Sequence, residues 1–390
     1  MKLENTQIAY KFKSTRDLKK GILIFKLFRY PWLMQWGGRL LLLFLKWRWP
    51  LPGLVKNLIY RQFCGGENES EAHEVVQALA AYNVDACMHH AAEHIPSEAG
   101  REAVLQRFID LLQISKQSKS FSFSVIKPTG LGALSLYEKV SLKQPLTTHE
   151  ASQWKLLQDR FHYCCEQAFR FNTKLLVDAE ESWYQNAIDQ LLESLMLIYN
   201  RKQALIFTTL QMYRKDRMAY LEKLLHKAQK NKIIIGVKLV RGAYLSKERA
   251  YANSKGIPSV LCSSKVATDA NFEEALQFIL THLGHFVLFL GSHNDQNVLQ
   301  TTLFMKKHNI PPNHPHIYFS QLYGMSDHLT FNLAHNGFRT VKYIPYGSVR
   351  EAIPYLLRRL EENTAVMSQS VHELSLYRKE LKRRYLAADL

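Results

Sequence analysis

One rhythm constrains this chain more than any other feature. A short apolar run ends in charged or polar residues, an amphipathic stretch follows, and the pattern starts again. FSFSVI runs into Lys127, KLLVDAEES reaches Asp178 and Glu180, and ALIFTTLQMY carries Gln211. IIIGVKLV leads into Arg241-Gly242-Ala243-Tyr244, and FVLFLGSHN into His293-Asn294. HIYFSQLYG ends at Gln321 and Tyr323, and TVKYIPYG holds Tyr343 and Tyr346. Helical patterns over 154–172, 188–200, 217–230, 271–283 and 295–308 fall between them, and a weaker run lies near Asp85. Strands alternating with helices imply an α/β chain with a parallel sheet. Eight such units predict a (β/α)8 barrel, TIM-like, with its chemistry at the C-terminal ends of the strands.

The clearest unit is IIIGVKLVRGAY, residues 233–244. Its β-branched start reads as a buried parallel strand, and Lys238, Arg241, Gly242 and Tyr244 as a functional loop. Glycine there allows a tight turn or close approach to a ligand. The plainer reading is a core strand with a solvated basic end.

Charge is unevenly spread. Residues 1–61 hold 13 Lys or Arg against two acids, so about +11 of the net +17 sits there. Residues 21–55 mix Leu, Phe and Trp with Lys26, Arg29, Arg39, Lys46 and Arg48, and no uncharged run is long enough to span a bilayer. Pro31 and Gly37-Gly38 are expected to split this segment into two short helical pieces. It suits an interfacial helix on anionic lipid or a helix pair packed on the main domain. Nucleic-acid binding fits less well, given so many aliphatics. The start, MKLENTQIAYKF, has no apolar h-region or small-residue cleavage site, so no secretory signal is expected. Five cysteines with no CxxC pair argue against a disulfide framework and a cysteine zinc site, and for a reducing compartment. No metal is expected: His89 and His90, being adjacent, share neither a helix face nor a strand face, and a surface or loop role is expected for them. Near the C-terminus, 349–363 reads as a helix that Pro354 kinks or starts, and 377–385 as a basic helix. The expected organisation is a basic aromatic segment over 1–60, a barrel over 61–365 and a basic helix over 366–390.

Lys127, Lys238, Arg241 and the Arg358-Arg359 pair, against Asp178 and Glu180, give the strand ends a cation surplus. Such a site suits an anionic substrate or a phosphate-bearing cofactor. No Walker A motif is present, and GLGALS (130–135) lacks the third glycine of a dinucleotide fingerprint.

Several of these stretches, in this order, resemble the proline dehydrogenase family: KLVRGAY, DAEES, TTLQMY, GSHN, QLYGM, YIPYG and YLLRRLEEN. The resemblance runs from about Tyr60 to Asn363. It is closer to monofunctional members than to bifunctional ones, since no aldehyde dehydrogenase domain follows. It implies a distorted (β/α)8 barrel, to which the N-terminal segment is expected to add helices. It further implies FAD at the strand ends, oxidation of L-proline to Δ1-pyrroline-5-carboxylate, and delivery of electrons to a membrane quinone.

By the same resemblance, Arg358, Arg359 and Lys127 clamp the substrate carboxylate, a task suited to planar guanidinium forks. Leu239, Tyr343 and Tyr355 wall the ring, with Tyr244 near it, and Asp178 holds the cations in place. Gln211, Lys238 and His293 contact the flavin. Val240, Arg241 and Gly242 line it, and Lys265, Thr268 and Asn271 meet its adenosine end. Glu362, one turn beyond the arginine pair, orients the guanidinium groups. A quinone acceptor gives residues 20–55 a reason to touch a membrane peripherally: the inner face in a bacterium, or the matrix side in a mitochondrion. Two alternatives remain. One is hydroxyproline dehydrogenase on the same fold, disfavoured by a bulky Tyr343 wall. The other is a non-catalytic basic barrel that binds membrane or nucleic acid.

Overall fold

Ile235 to Val240 forms the expected central strand, and its alternation shows how the barrel is filled. The computed structural model describes residues 3–47, 53, 59–91, 95, 97–116, 120–362 and 364–388. Among them are β1 (Val84–His90), β2 (Phe121–Ile126), β3 (Lys174–Val177), β4 (Ile206–Gln211), β5 (Ile235–Val240), β6 (Phe286–Gly291), β7 (Ile317–Leu322) and β8 (Thr340–Tyr346). Each pairs in parallel with the next, and β8 closes on β1. Helices follow the strands, as in a (β/α)8 barrel.

Strand side chains alternate between the barrel interior and the helix layer. Inward-facing Phe123, Phe207, Phe289 and Tyr318 meet edge-to-face, with Phe123 4.9–5.5 Å from the other three rings. Gly236 makes room for this layer, since a Cβ there would lie 2.5 Å from the Phe207 ring. All four rings are buried, and truncating one to alanine would cost about 3–5 kcal/mol. This aromatic layer packs the interior beneath the strand ends. The outward residues, among them Leu210, Leu239, Leu288 and Leu290, pack with Phe272, Leu276 and Ile279 of the helix Lys265–Thr281.

The chain ends are interlocked outside the barrel. Helix Thr15–Leu27 begins at a capping box: Asp17 N–H donates to Ser14 Oγ (3.1 Å) and Ser14 N–H to Asp17 Oδ2 (3.2 Å). It packs on the C-terminal helix Thr364–Ala388 where Gly21 admits the Tyr377 ring; a Cβ at 21 would fall 2.2 Å from it. Arg384 donates to the carbonyls of Tyr10 and Lys13, both at 2.8 Å. Gln369, on the same helix, donates to His293 O (2.6 Å) and Ser326 Oγ (2.8 Å), which brings the helix over the ends of β6 and β7.

The structure corrects the expected break at Gly37-Gly38. Helix Pro31–Lys46 runs through both glycines. Pro31 stands at its first position, where a missing N–H is harmless. Gly38 sits against Leu357 of the helix Val349–Glu362, with space for a Cβ only 3.1 Å from Leu357 Cδ2. That packing, available only in the folded chain, outweighs the low helix propensity of glycine. Trp32, Trp36, Leu40, Leu43 and Trp47 follow one another at helical spacing and are 51–67% exposed. Pro354 lies inside Val349–Glu362, not at its start.

Candidate active site

The polar residues that end the strands converge at the barrel mouth. Lys238, inward on β5, places Nζ 2.5 Å from Asp178 Oδ1, just beyond β3. The Tyr343 hydroxyl on β8 donates to Asp178 Oδ2 at 2.9 Å. The Lys238 ammonium also lies 4.5 Å from the Tyr343 ring centroid. Lys127, at the end of β2, lies 5.7 Å from the Tyr355 ring centroid. Burial alone would raise the Asp178 pKa, but Lys238, His89 and Lys127 outweigh it and hold the carboxyl well below its usual range. Burial, with Asp178 beside it, pushes the Tyr343 phenol far up, so it stays a neutral donor.

His89 departs from expectation. It is 2% exposed, not at the surface, and lies on β1 with its ring 5.4 Å from both Tyr343 and Tyr355. Strand alternation separates the histidine pair: His89 enters the barrel, while His90 Nε2 turns to the Arg107 guanidinium at 2.6 Å. Inward-facing Cys87 two residues earlier was the available signal.

A cavity of about 440 Å³ opens here, within the range of small-molecule sites. Asp178, Lys238, Tyr244, Tyr343 and Tyr355 line it, as do Gln211, Val240, Arg241, Gly242, Lys265 and His293. Phe289 brings the aromatic layer to its wall. Gln211 straps two loops together, donating to Glu180 O and accepting from Ala243 N–H, both at 2.9 Å. Arg241 pairs with Asp269 (2.7 Å) and Asn297 Oδ1 (2.9 Å) over the Phe272 ring. Lys265 shares Asp269 at 2.6 Å. Gly242 adopts φ +133°, and a Cβ there would lie 1.5 Å from the Tyr213 ring, so no other residue fits. His293 Nε2 accepts from Leu322 N–H (3.4 Å), which leaves Nδ1–H to donate to Ser326 Oγ (2.9 Å). Burial, then Lys342 and His328, push its pKa down to about 3, so the ring is neutral.

Three expected residues lie elsewhere. Leu239 faces the helix layer because Lys238 faces inward, and neighbours on a strand cannot share a face. Thr268 and Asn271 do not line the cavity; the Asn271 amide donates to the carbonyls of Met212 (2.7 Å) and Arg214 (3.1 Å). The side chains of Arg358, Arg359 and Glu362 lie outside the described residues, on helix Val349–Glu362. The sequence places Glu180 only as a counter-charge at the strand ends. It is buried, accepting from the Tyr244 hydroxyl (3.0 Å) and from Thr129 Oγ1 (2.9 Å). Thus Tyr244 is fixed in the wall.

The donor set suits a flavin nucleotide. Lys238, Arg241 and Lys265 exceed the lining acids Asp178 and Asp295, and Gly242 and Gly291 leave stretches of wall without side chains. Cations, amides and bare backbone are the groups that a diphosphate and a hydrogen-bonding ring require.

A sequence profile described as proline dehydrogenase matches residues 72–372. The carbapenem antibiotics biosynthesis protein CarD of Pectobacterium carotovorum is 32% identical over 85% of this chain and 86% of its own. Mitochondrial proline dehydrogenase 1 of Arabidopsis thaliana is 30% identical over 86% of this chain and 76% of its own. Vertebrate hydroxyproline dehydrogenases match at 27–29% identity. Among solved structures, proline utilization A of Bdellovibrio bacteriovorus superposes with a TM-score of 0.71 at 21% identity. It covers 80% of this chain, and the chain spans 33% of that protein's length. With a profile match over most of its length, a closed eight-stranded barrel and the mouth described above, the chain belongs to the proline dehydrogenase family of oxidoreductases.

Proposed function

We propose that this protein oxidises L-proline to Δ1-pyrroline-5-carboxylate using FAD and passes the electrons to a membrane quinone. The observation that carries the reading is the buried cluster of Lys238, Asp178 and Tyr343 beneath a ring of aromatic walls, in a chain of this family. FAD, when bound, is the hydride acceptor. Lys238, Gln211, Val240, Arg241, Gly242, Lys265 and His293 are the residues that hold it. Lys238 would offer such a ring a cation as it gains negative charge, and His293 would present a neutral imidazole.

Asp178 is ionised and doubly engaged, so it fixes the positions of Lys238 and the Tyr343 ring. Tyr343, Tyr355 and Tyr244 confine a small ring substrate and keep water out. Lys127, with Arg358 and Arg359, neutralises the carboxylate and sets the orientation of the ring, on which hydride transfer depends. We place the catalytic unit at 61–365.

Residues 1–60 supply a membrane contact. The exposed Trp32, Trp36, Leu40, Leu43 and Trp47 form one stripe, and the surrounding segment is strongly basic. That combination suits the interface of an anionic bilayer. Among the described residues, no helix is long and apolar enough to cross a membrane.

The full-length likeness to hydroxyproline dehydrogenases supports a second reading. Against it, the Tyr343 hydroxyl is committed to Asp178, so this wall offers a hydroxylated ring bulk rather than a free hydroxyl. An absorbance spectrum of the purified protein, taken anaerobically with each amino acid, tests both. Bleaching of a flavin band by L-proline, and much less by hydroxyproline, is expected. The reverse preference selects the second reading. No flavin after reconstitution with FAD overturns both.

A further inference from the structure

We propose that Asp295, His328 and His372 form a binding site for a divalent transition-metal ion of the zinc type. The three residues come from separate elements. Asp295 opens the helix Asp295–Lys307 after β6. His328 lies in Asp327–His335 after β7, and His372 on the C-terminal helix Thr364–Ala388. His328 Nε2 is 3.2 Å from Asp295 Oδ1, and His372 Nε2 is 3.4 Å from Asp295 Oδ2. One donor atom from each residue lies within 4.8 Å of the other two. Ligand atoms around a tetrahedral ion with bonds of about 2.0–2.1 Å stand roughly 3.3 Å apart. Asp295 Oδ2 alone stands at that spacing from both imidazoles, 3.4 Å from His328 Nε2 and 3.4 Å from His372 Nε2. The remaining histidine–histidine gap closes by turning His372, whose side chain is 34% exposed.

The surroundings of His328 strengthen the assignment. Its side chain is fully buried, with Nε2 toward Asp295 and Nδ1 toward Glu373 Oε1, 4.0 Å away. Nδ1 makes no hydrogen bond, and neither does His372 Nε2. Glu373 is itself 1% exposed and is held by the Ser326 N–H at 2.5 Å. An imidazole with one nitrogen facing the donor cluster and the other facing a carboxylate is the arrangement that orients metal-binding histidines.

Two imidazoles and one carboxylate select zinc-type ions over magnesium or calcium. Three protein ligands leave a fourth position for water, and Asp295 and His372 both line the cavity. A bound ion joins the C-terminal helix to the segments after β6 and β7, beside the contacts that Gln369 already makes there. Its role is a staple at the rim of the mouth. The assignment rests on these side chains alone and stands whether or not the neighbouring cavity holds a flavin.

The test uses the full chain, freed of any histidine tag, stripped with chelator and retaining its flavin. Co2+ is titrated as an optical probe and then displaced by Zn2+. Saturable ligand-field bands at stoichiometric Co2+, erased by Zn2+, are expected. Zn2+ at a hundredfold excess over its dissociation constant should raise the melting temperature by about 3 °C. His372→Ala should weaken Co2+ binding by at least about tenfold while leaving the metal-free melting temperature near that of the wild type. If His372→Ala does not fold, Asp295→Asn provides the same comparison. Absence of saturable bands, or undiminished binding by the folded variant, overturns the site and leaves only a hydrogen-bonded cluster.

Discussion

Lys238 Nζ and Asp178 Oδ1 stand 2.5 Å apart across the barrel mouth, and both side chains are nearly buried. Each is the other's compensation for lost solvent. Lys238→Met should destabilise the protein by up to about 3–5 kcal/mol, because it takes the ammonium from a buried carboxylate and leaves it the Tyr343 hydroxyl and the more distant charges. The double variant with Asp178→Asn should cost less than the sum of the two single changes, with a coupling of about 1–3 kcal/mol. Urea unfolding of the four proteins measures this, and additive effects would contradict the pairing.

Replacing Arg358 or Arg359 with Met should remove one charge-assisted contact to the substrate carboxylate. At about 1.5–3 kcal/mol, the KM for proline should rise roughly ten- to a hundredfold. Bound FAD should be unchanged. A variant with wild-type KM would remove these arginines from the clamp.

Trp32→Ser combined with Trp36→Ser should leave turnover with a soluble dye intact. Partition onto vesicles containing anionic lipid should fall by at least about tenfold, since two large aromatic groups no longer enter the interface. The wild type should bind less in high salt. Equal vesicle binding by the two proteins would mean that the stripe serves another purpose.

His293 predicts a slope of stability with pH. Its folded pKa is lowered to about 3, chiefly by burial. Below about 6.5 the unfolded chain binds a proton that the folded chain refuses, so stability falls as pH drops from about 6.5 toward 3. At pH 4.5 the loss is at most about 2–3 kcal/mol. His293→Gln should flatten this part of the profile in urea unfolding between pH 7 and 4.5. An unchanged slope would show that His293 does not hold back the proton.

The barrel was legible because each strand carries its own local signal: an apolar run, a polar end and a helical stretch after it. Strand β1 was weakest, since Asp85, His89 and His90 interrupt its apolar pattern, and His89 was therefore missed. Leu239 follows Lys238 directly on β5, so alternation sends it to the helix layer even though the family resemblance implies a place in the wall. The continuous helix through Gly37-Gly38 could not be read locally; it depends on Leu357, more than 300 residues away. The cluster of Asp295, His328 and His372 was equally hidden, because only the folded chain brings the C-terminal helix over the barrel mouth.

The interlock of the two ends sets an order on the birth of the molecule. Arg384 holds the carbonyls of Tyr10 and Lys13, and Tyr377 fills the notch at Gly21. Helix Thr15–Leu27 therefore emerges from the ribosome well before the helix that seats it. Meanwhile the barrel strands can pair with their sequence neighbours as they appear, leaving only the closure of β8 on β1 to wait. The tryptophan-bearing helix Pro31–Lys46 likewise meets Leu357 only after more than 300 further residues have been made, so it stays unseated through most of synthesis.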